Sequence, residues 1–98
     1  MSTQAKAHHG AVHVSKAANQ MTQAGMKLKS VGGSLEIDFQ EEFATPPVVV
    51  ISPFYQGSAI AVEVIETITS VGTTSFVVTS LNGASNYFVN WIAIGRAL

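Results

Sequence analysis

The sequence predicts an all-β fold, a sandwich of short strands, and three observations carry that prediction. Apolar and polar residues alternate at a period of two, as in Leu35-Glu36-Ile37-Asp38-Phe39, without a sustained helical spacing. Turn signals recur at short intervals: Gly32-Gly33, Pro46-Pro47, Ser52-Pro53, Gly72 and Asn82-Gly83. The runs between them are rich in β-branched and aromatic residues, which suit a pleated, half-buried surface. Short strands, frequent turns and no convincing long helix lead to a sandwich.

Residues 1–9 read as a flexible N-terminus and residues 10–98 as a single sandwich domain. The first strand spans residues 10–15, with Val12 and Val14 on one face and His13 on the other. In residues 16–25, Ala17, Met21 and Ala24 fall at helical spacing, with Ser15 and Gly25 as caps. Ten residues are too few for an unpacked helix, so this stretch reads as a long loop with one helical turn at most. Met26 and Leu28 alternate with Lys27 and Lys29, then Gly32-Gly33 turns the chain, which gives a small hairpin arm.

Leu35, Ile37 and Phe39 form the inner side of a half-buried strand whose outer side carries Glu36 and Asp38. Pro46-Pro47 imposes an extended start on Val48-Val49-Val50-Ile51, a continuous run expected to lose water on both sides, and Ser52-Pro53 ends it. Residues 54–58 are a loop that brings Tyr55 to the surface. Ile60, Val62 and Val64 alternate with Ala61 and Glu63; the phase slips at Ile65-Glu66, which predicts a bulge before Ile68. Residues 70–74 turn around Gly72 into a strand begun by Phe76 and Val78. Asn82-Gly83 is the strongest hairpin signal and is expected to send the chain directly into the closing strand.

In that strand Tyr87, Val89, Trp91 and Ala93 point one way, and Phe88, Asn90, Ile92 and Ile94 the other. Both faces are largely apolar. One can face the sandwich core; the other needs a cover, and a second subunit is the simplest. Asn90, set among Phe88, Ile92 and Ile94, then needs partners for its amide, which symmetric copies would supply. Only 11% of the 98 residues are charged, against about a quarter in an ordinary domain, which also favours self-association.

The same totals exclude several function classes. A net charge of −1 leaves no basic footprint for nucleic acid. No cysteine means no disulfide and no thiol nucleophile. No apolar run approaches the roughly 20 residues of a spanning helix, so no membrane insertion is expected. The first 25 residues show no secretory signal. His8, His9 and His13 form the one metal-like cluster, and they lack a fourth ligand at zinc-type spacing; a solvated histidine pair is the simpler reading. Glu36 and Asp38, two apart on a strand, read as a solvated face. Neither a nucleophile elbow nor a phosphate-cradling glycine motif is present, so no enzyme, cofactor or metal site is expected. The binding candidates are Glu63, Asn82, Asn86, Tyr87 and Tyr55, beside Gln56: amides and a carboxylate match hydroxyl groups, and a tyrosine adds a flat apolar face with a polar tip. Turn chemistry for the asparagines and packing for Tyr87 are the competing readings.

Five pieces in this order resemble the H-type lectin domain over about residues 10–95. They are Gly10-Ala11-Val12-His13-Val14, Leu35-Glu36-Ile37-Asp38-Phe39, Phe43-Ala44-Thr45-Pro46-Pro47-Val48-Val49-Val50, Ile68-Thr69-Ser70-Val71-Gly72-Thr73-Thr74-Ser75-Phe76 and Trp91-Ile92-Ala93-Ile94-Gly95. The ending also looks like the C-terminal domain of some phage tail-fibre proteins. The resemblance implies a six-stranded antiparallel sandwich that trimerises about a threefold axis, with N-acetylgalactosamine or galactose bound in shallow sites between subunits.

Three departures bear on that site. Glu63 stands where the lectins place a sugar-contacting arginine. The hairpin Leu81-Asn82-Gly83-Ala84-Ser85-Asn86 lacks their aromatic and histidine, and residues 16–33 contain no acid. The expectation is a noncatalytic, lectin-like homotrimer, or a higher assembly of it, that binds glycoproteins, glycolipids or cell-surface polysaccharide in an extracellular-facing or virion-associated role. The alternative is a structural or receptor-binding tip of a phage fibre or similar trimeric assembly. Fold alone does not decide between them.

Overall fold

The computed structural model describes residues 12–58 and 61–98. Among the described residues there are seven strands and no helix: β1 (Val12–Ala17), β2 (Gln20–Leu28), β3 (Gly33–Asp38), β4 (Val48–Tyr55), β5 (Thr67–Val71), β6 (Ser75–Ser80) and β7 (Tyr87–Arg96). They form two antiparallel sheets, one ordered β1-β2-β7-β4 and one ordered β3-β6-β5. Their inner faces share one core. Met21, Tyr87, Val89, Trp91 and Ala93 come from the larger sheet, and Ile37, Phe76 and Val78 from the smaller. Phe39 packs its ring against Phe43, Phe76 and Trp91 at centroid distances of 5.0, 5.6 and 5.7 Å.

The seventh strand is β2, which replaces the loop expected over residues 16–25. Its helical spacing was incidental: Met21 and Gln23 both point into the core at a period of two, and the strand pairs with β7 along its length and with β1 from Gln20 to Gly25. Gln23 hid the alternation because it is polar yet buried. Its Oε1 accepts from the Gln40 and Glu41 amides at 2.8 and 3.2 Å, and its Nε2 donates to the Glu41 carbonyl at 2.7 Å. One amide side chain thereby satisfies backbone groups of the connection after β3 that would otherwise be orphaned. The β1–β2 turn places Ala18 at φ 55°, in the left-handed region.

Four further expectations are corrected. The two glycine turns make no hairpins, because each joins different sheets: residues 29–32 cross from β2 to β3, and residues 81–86 from β6 to β7. Glycine at position 83 serves close approach, since a Cβ there would lie 2.2 Å from the Val31 carbonyl carbon. The run 48–51 does not stop at Ser52-Pro53 but continues to Tyr55. Pro53 is tolerated because β4 is an edge strand, where a missing N–H costs no ladder bond. Residues 61–66 are not a strand, and Ile60 lies outside the described residues. The irregularity falls later than expected, between Ile68 and Ser70. Residues 1–11, which include His8, His9 and the start of the expected first strand, also lie outside the described residues.

The two sequence pieces most characteristic of the resemblance meet in space. A Cβ on Gly95 would lie 2.9 Å from Pro47 Cβ and 3.0 Å from Phe43 Cδ1, so the glycine of the closing strand makes room for the Phe43 and Pro47 side chains. Phe43 also forms an isolated bridge to Ala97.

Candidate functional site

Two surfaces stand out. The first is the outer face of the four-stranded sheet. The closing strand divides as its alternation requires: Tyr87, Val89, Trp91 and Ala93 are buried in the core, while Asn90, Ile92 and Ile94 are exposed on the other side. Register places Val50 and Ala24 on either side of Ile92, and Val48 and Thr22 on either side of Ile94. Val48 is 71% exposed, Val50 63%, Ile92 47% and Ile94 44%. Phe54 stacks on Phe88 farther along this face, with ring centroids 5.7 Å apart. Asn90 lies between Met26 and Ser52, and His13 stands at the rim beside Ala24. The result is an apolar sheet face with few charges. The run 48–51, expected to be dry on both sides, has only Val49 and Ile51 turned toward the core in the single chain.

The second surface is the end of the sandwich where the chain crosses between sheets, built from residues 29–32, 56–58, 61–66 and 81–86. Here the five candidate binding residues separate. Glu63 is exposed and lines a shallow groove of about 350 Å³ with Ile51, Pro53 and Val62. Tyr55 is half-buried, its ring 4.9 Å from that of Tyr87. Asn86 is half-buried too; its Nδ2 donates to the Gln56 backbone carbonyl at 3.1 Å, and its backbone carbonyl accepts from the Gln56 backbone N–H at 2.8 Å. Tyr87 and Asn82 are buried and face inward, so neither presents its polar group at the surface.

Those two belong to a dry polar cluster with three residues that sequence reasoning passed over, Lys29, Glu66 and Ser80. The Lys29 and Glu66 side chains are 1% and 0% exposed, with Nζ 3.7 Å from Oε2. Nζ donates to the Ser80 and Asn82 backbone carbonyls at 3.0 and 2.5 Å and to Ser80 Oγ at 3.3 Å. Glu66 Oε1 accepts from Ser80 Oγ at 2.6 Å and from the Tyr87 hydroxyl at 2.7 Å, whereas Oε2 has no hydrogen-bond donor. Asn82 Nδ2 donates to the Val64 carbonyl at 2.8 Å and to the Tyr87 hydroxyl at 3.2 Å. Nζ also lies 5.9 Å from the centre of the Tyr87 ring. Burial, then the hydrogen bond to the Glu66 carboxylate, pushes the Tyr87 phenol well above its ordinary range, so it stays protonated and donates. The cluster rivets all three crossing segments together, and removing one member of a buried pair is costly. Its signals in the sequence were faint: a lysine after a strand, and an acid where the alternation slipped.

Glu36 and Asp38 lie exposed on the outer side of the smaller sheet, and Glu36 accepts from Ser75 Oγ at 2.6 Å. Among the described residues no group of three potential ligands is arranged to hold a metal ion.

No protein-family model matches the chain, and no curated protein sequence does. The H-type lectin resemblance therefore has no family match behind it. Solved structures do match. An N-truncated R1-type pyocin tail fibre superposes with a TM-score of 0.59 at 23% identity, over 86% of this chain and 84% of that one. A C-terminal fragment of the R2 pyocin fibre of P. aeruginosa superposes with a TM-score of 0.58 at 20% identity over 87% of this chain, which spans about a quarter (26%) of the fibre fragment. The chain thus shares its fold with domains of pyocin tail fibres.

Proposed function

We propose that this chain is a trimeric, noncatalytic module of a tail fibre-like assembly, with its crossing loops turned to a cell-surface receptor. The observation that carries the reading is the apolar outer face of the four-stranded sheet. The uncovered fractions of Val48, Val50, Ile92 and Ile94 amount to roughly two whole side chains. Burying one contributes about 1.5–3 kcal/mol, so covering these four contributes on the order of 3–7 kcal/mol per subunit. Threefold packing of copies covers this face in every subunit and leaves no patch to propagate, because the assembly closes. The similarity to pyocin tail fibres supports the same reading. Native mass spectrometry with multi-angle light scattering tests it. A trimer is expected, and a monomer at all concentrations overturns it.

Glycan recognition is the second reading. It rests on Gln56 and Asn86, which hydrogen-bond to each other next to the half-buried Tyr55, and on the exposed Glu63 of the groove. Individually weak sites on one trimer would act together on a dense glycan surface. A glycan array that responds to a defined sugar, and loses the response in Asn86→Ala or Glu63→Ala, supports this. A blank array from an intact trimer leaves assembly as the function.

A further inference from the structure

The buried cluster at the crossing end holds more chemistry than a rivet needs: an amine, a carboxylate, a carboxamide and a phenol, all away from water. Lys29 Nζ is 2.5 Å from the backbone oxygen of Asn82 and 3.7 Å from Glu66 Oε2. That carboxylate oxygen is buried and accepts no hydrogen bond. The other oxygen, Oε1, holds the Tyr87 hydroxyl at 2.7 Å, and the same hydroxyl accepts from Asn82 Nδ2 at 3.2 Å. A chain of hydrogen bonds therefore links Nζ through Ser80 Oγ to Glu66 Oε1, and through the Tyr87 hydroxyl to the side-chain nitrogen of the residue whose backbone oxygen Nζ already touches. An ionised pair without water is expensive to hold, and an acceptor without a donor adds to that cost. A reaction that removes the charge would relieve both.

We propose that Lys29 and Asn82 join in an intramolecular isopeptide bond, with Glu66 and Tyr87 moving the protons. Nζ attacks Cγ of Asn82 after a tilt of that side chain toward it. The Nζ–Cγ bond forms and the Cγ–Nδ2 bond breaks. The charged amine gives up two protons: one passes along Glu66 and Tyr87 to Nδ2 and leaves with it as ammonia, and the other stays on Glu66. No oxidant, reductant or co-reactant is required. The protonated Glu66 then has a hydrogen to donate, which answers its bare oxygen. The link ties the β2–β3 crossing to the β6–β7 crossing, 53 residues apart. This inference is independent of trimerisation.

Mass spectrometry of the purified, denatured chain decides it. The expected mass is that of the sequence less one ammonia. Trypsin should fail to cut after Lys29 and should yield a branched peptide joining Lys29 to Asn82. Because Gly83 follows Asn82, cyclisation of the asparagine onto its own backbone would lose the same ammonia, so tandem sequencing of the peptide is essential. Lys29→Arg and Glu66→Gln should both restore the full sequence mass. A wild-type chain that keeps its full mass after prolonged incubation in the folded state overturns the proposal. So does an ammonia loss that persists in Lys29→Arg. The wild-type measurement stands whether or not the variants fold.

Discussion

Replacing Val50 by glutamate places a charge on the outer face of the four-stranded sheet. Val50 is a better probe than its neighbour Ile92: it is 63% exposed on an edge strand, against 47% for Ile92 on an inner strand, so the isolated subunit loses less packing. Its exposed fraction corresponds to about 1–2 kcal/mol of burial still to be gained per subunit. Three copies in a trimer make that about 3–6 kcal/mol, or roughly two to four orders of magnitude in the association constant. Desolvating three carboxylates adds several kcal/mol each to the loss. Sedimentation velocity across a dilution series should therefore show a trimer for the wild type and a monomer for Val50→Glu at the same concentrations, with circular dichroism unchanged in its β signature. A Val50→Glu chain that stays trimeric with wild-type affinity would refute the assignment of this face as the interface.

Four other predictions follow from particular contacts. Because the folded pKa of Tyr87 lies above its ordinary value of 10.0, the native state holds its proton more tightly than the unfolded chain. Its contribution is fully present below about pH 10 and declines as pH rises beyond it; Tyr87→Phe should flatten that alkaline loss in urea titrations while lowering stability at neutral pH, since Glu66 Oε1 loses a donor. Gly95→Ala should cost about 1–3 kcal/mol by crowding Pro47 and Phe43, read as a lower urea midpoint. Ala18→Gly should raise stability by about 0.5–1 kcal/mol, as relief of the left-handed φ outweighs the added freedom of the unfolded chain. Gln23→Leu should cost at least about 2 kcal/mol, because the Gln40 and Glu41 amides lose their shared acceptor; a shift of less than half that in the urea midpoint energy would contradict it.

The sequence by itself determined the all-β class, the closing strand and the division of its two faces. These depend on local alternation: Trp91 is in the core and Ile92 is outside because successive side chains on a strand must point oppositely. The half-buried strand at Leu35 to Asp38 and the turn around Gly72 were legible for the same reason. Tertiary structure decided what local pattern does not encode. β2 was hidden because the polar Gln23 occupies a core position, which only the distant Gln40 and Glu41 backbone makes tolerable. Gly32-Gly33 and Asn82-Gly83 looked like hairpin turns, yet they are crossings between sheets, and Gly83 is small because Val31 lies against it. Of the candidate binding residues, Tyr55, Asn86 and Glu63 keep some surface, whereas Asn82 and Tyr87 are drawn inward by Glu66 and the Val64 carbonyl. Alternation follows from strand geometry within a few residues. The partner of a buried polar group lies tens of residues away and is chosen only when the sheets close on one another.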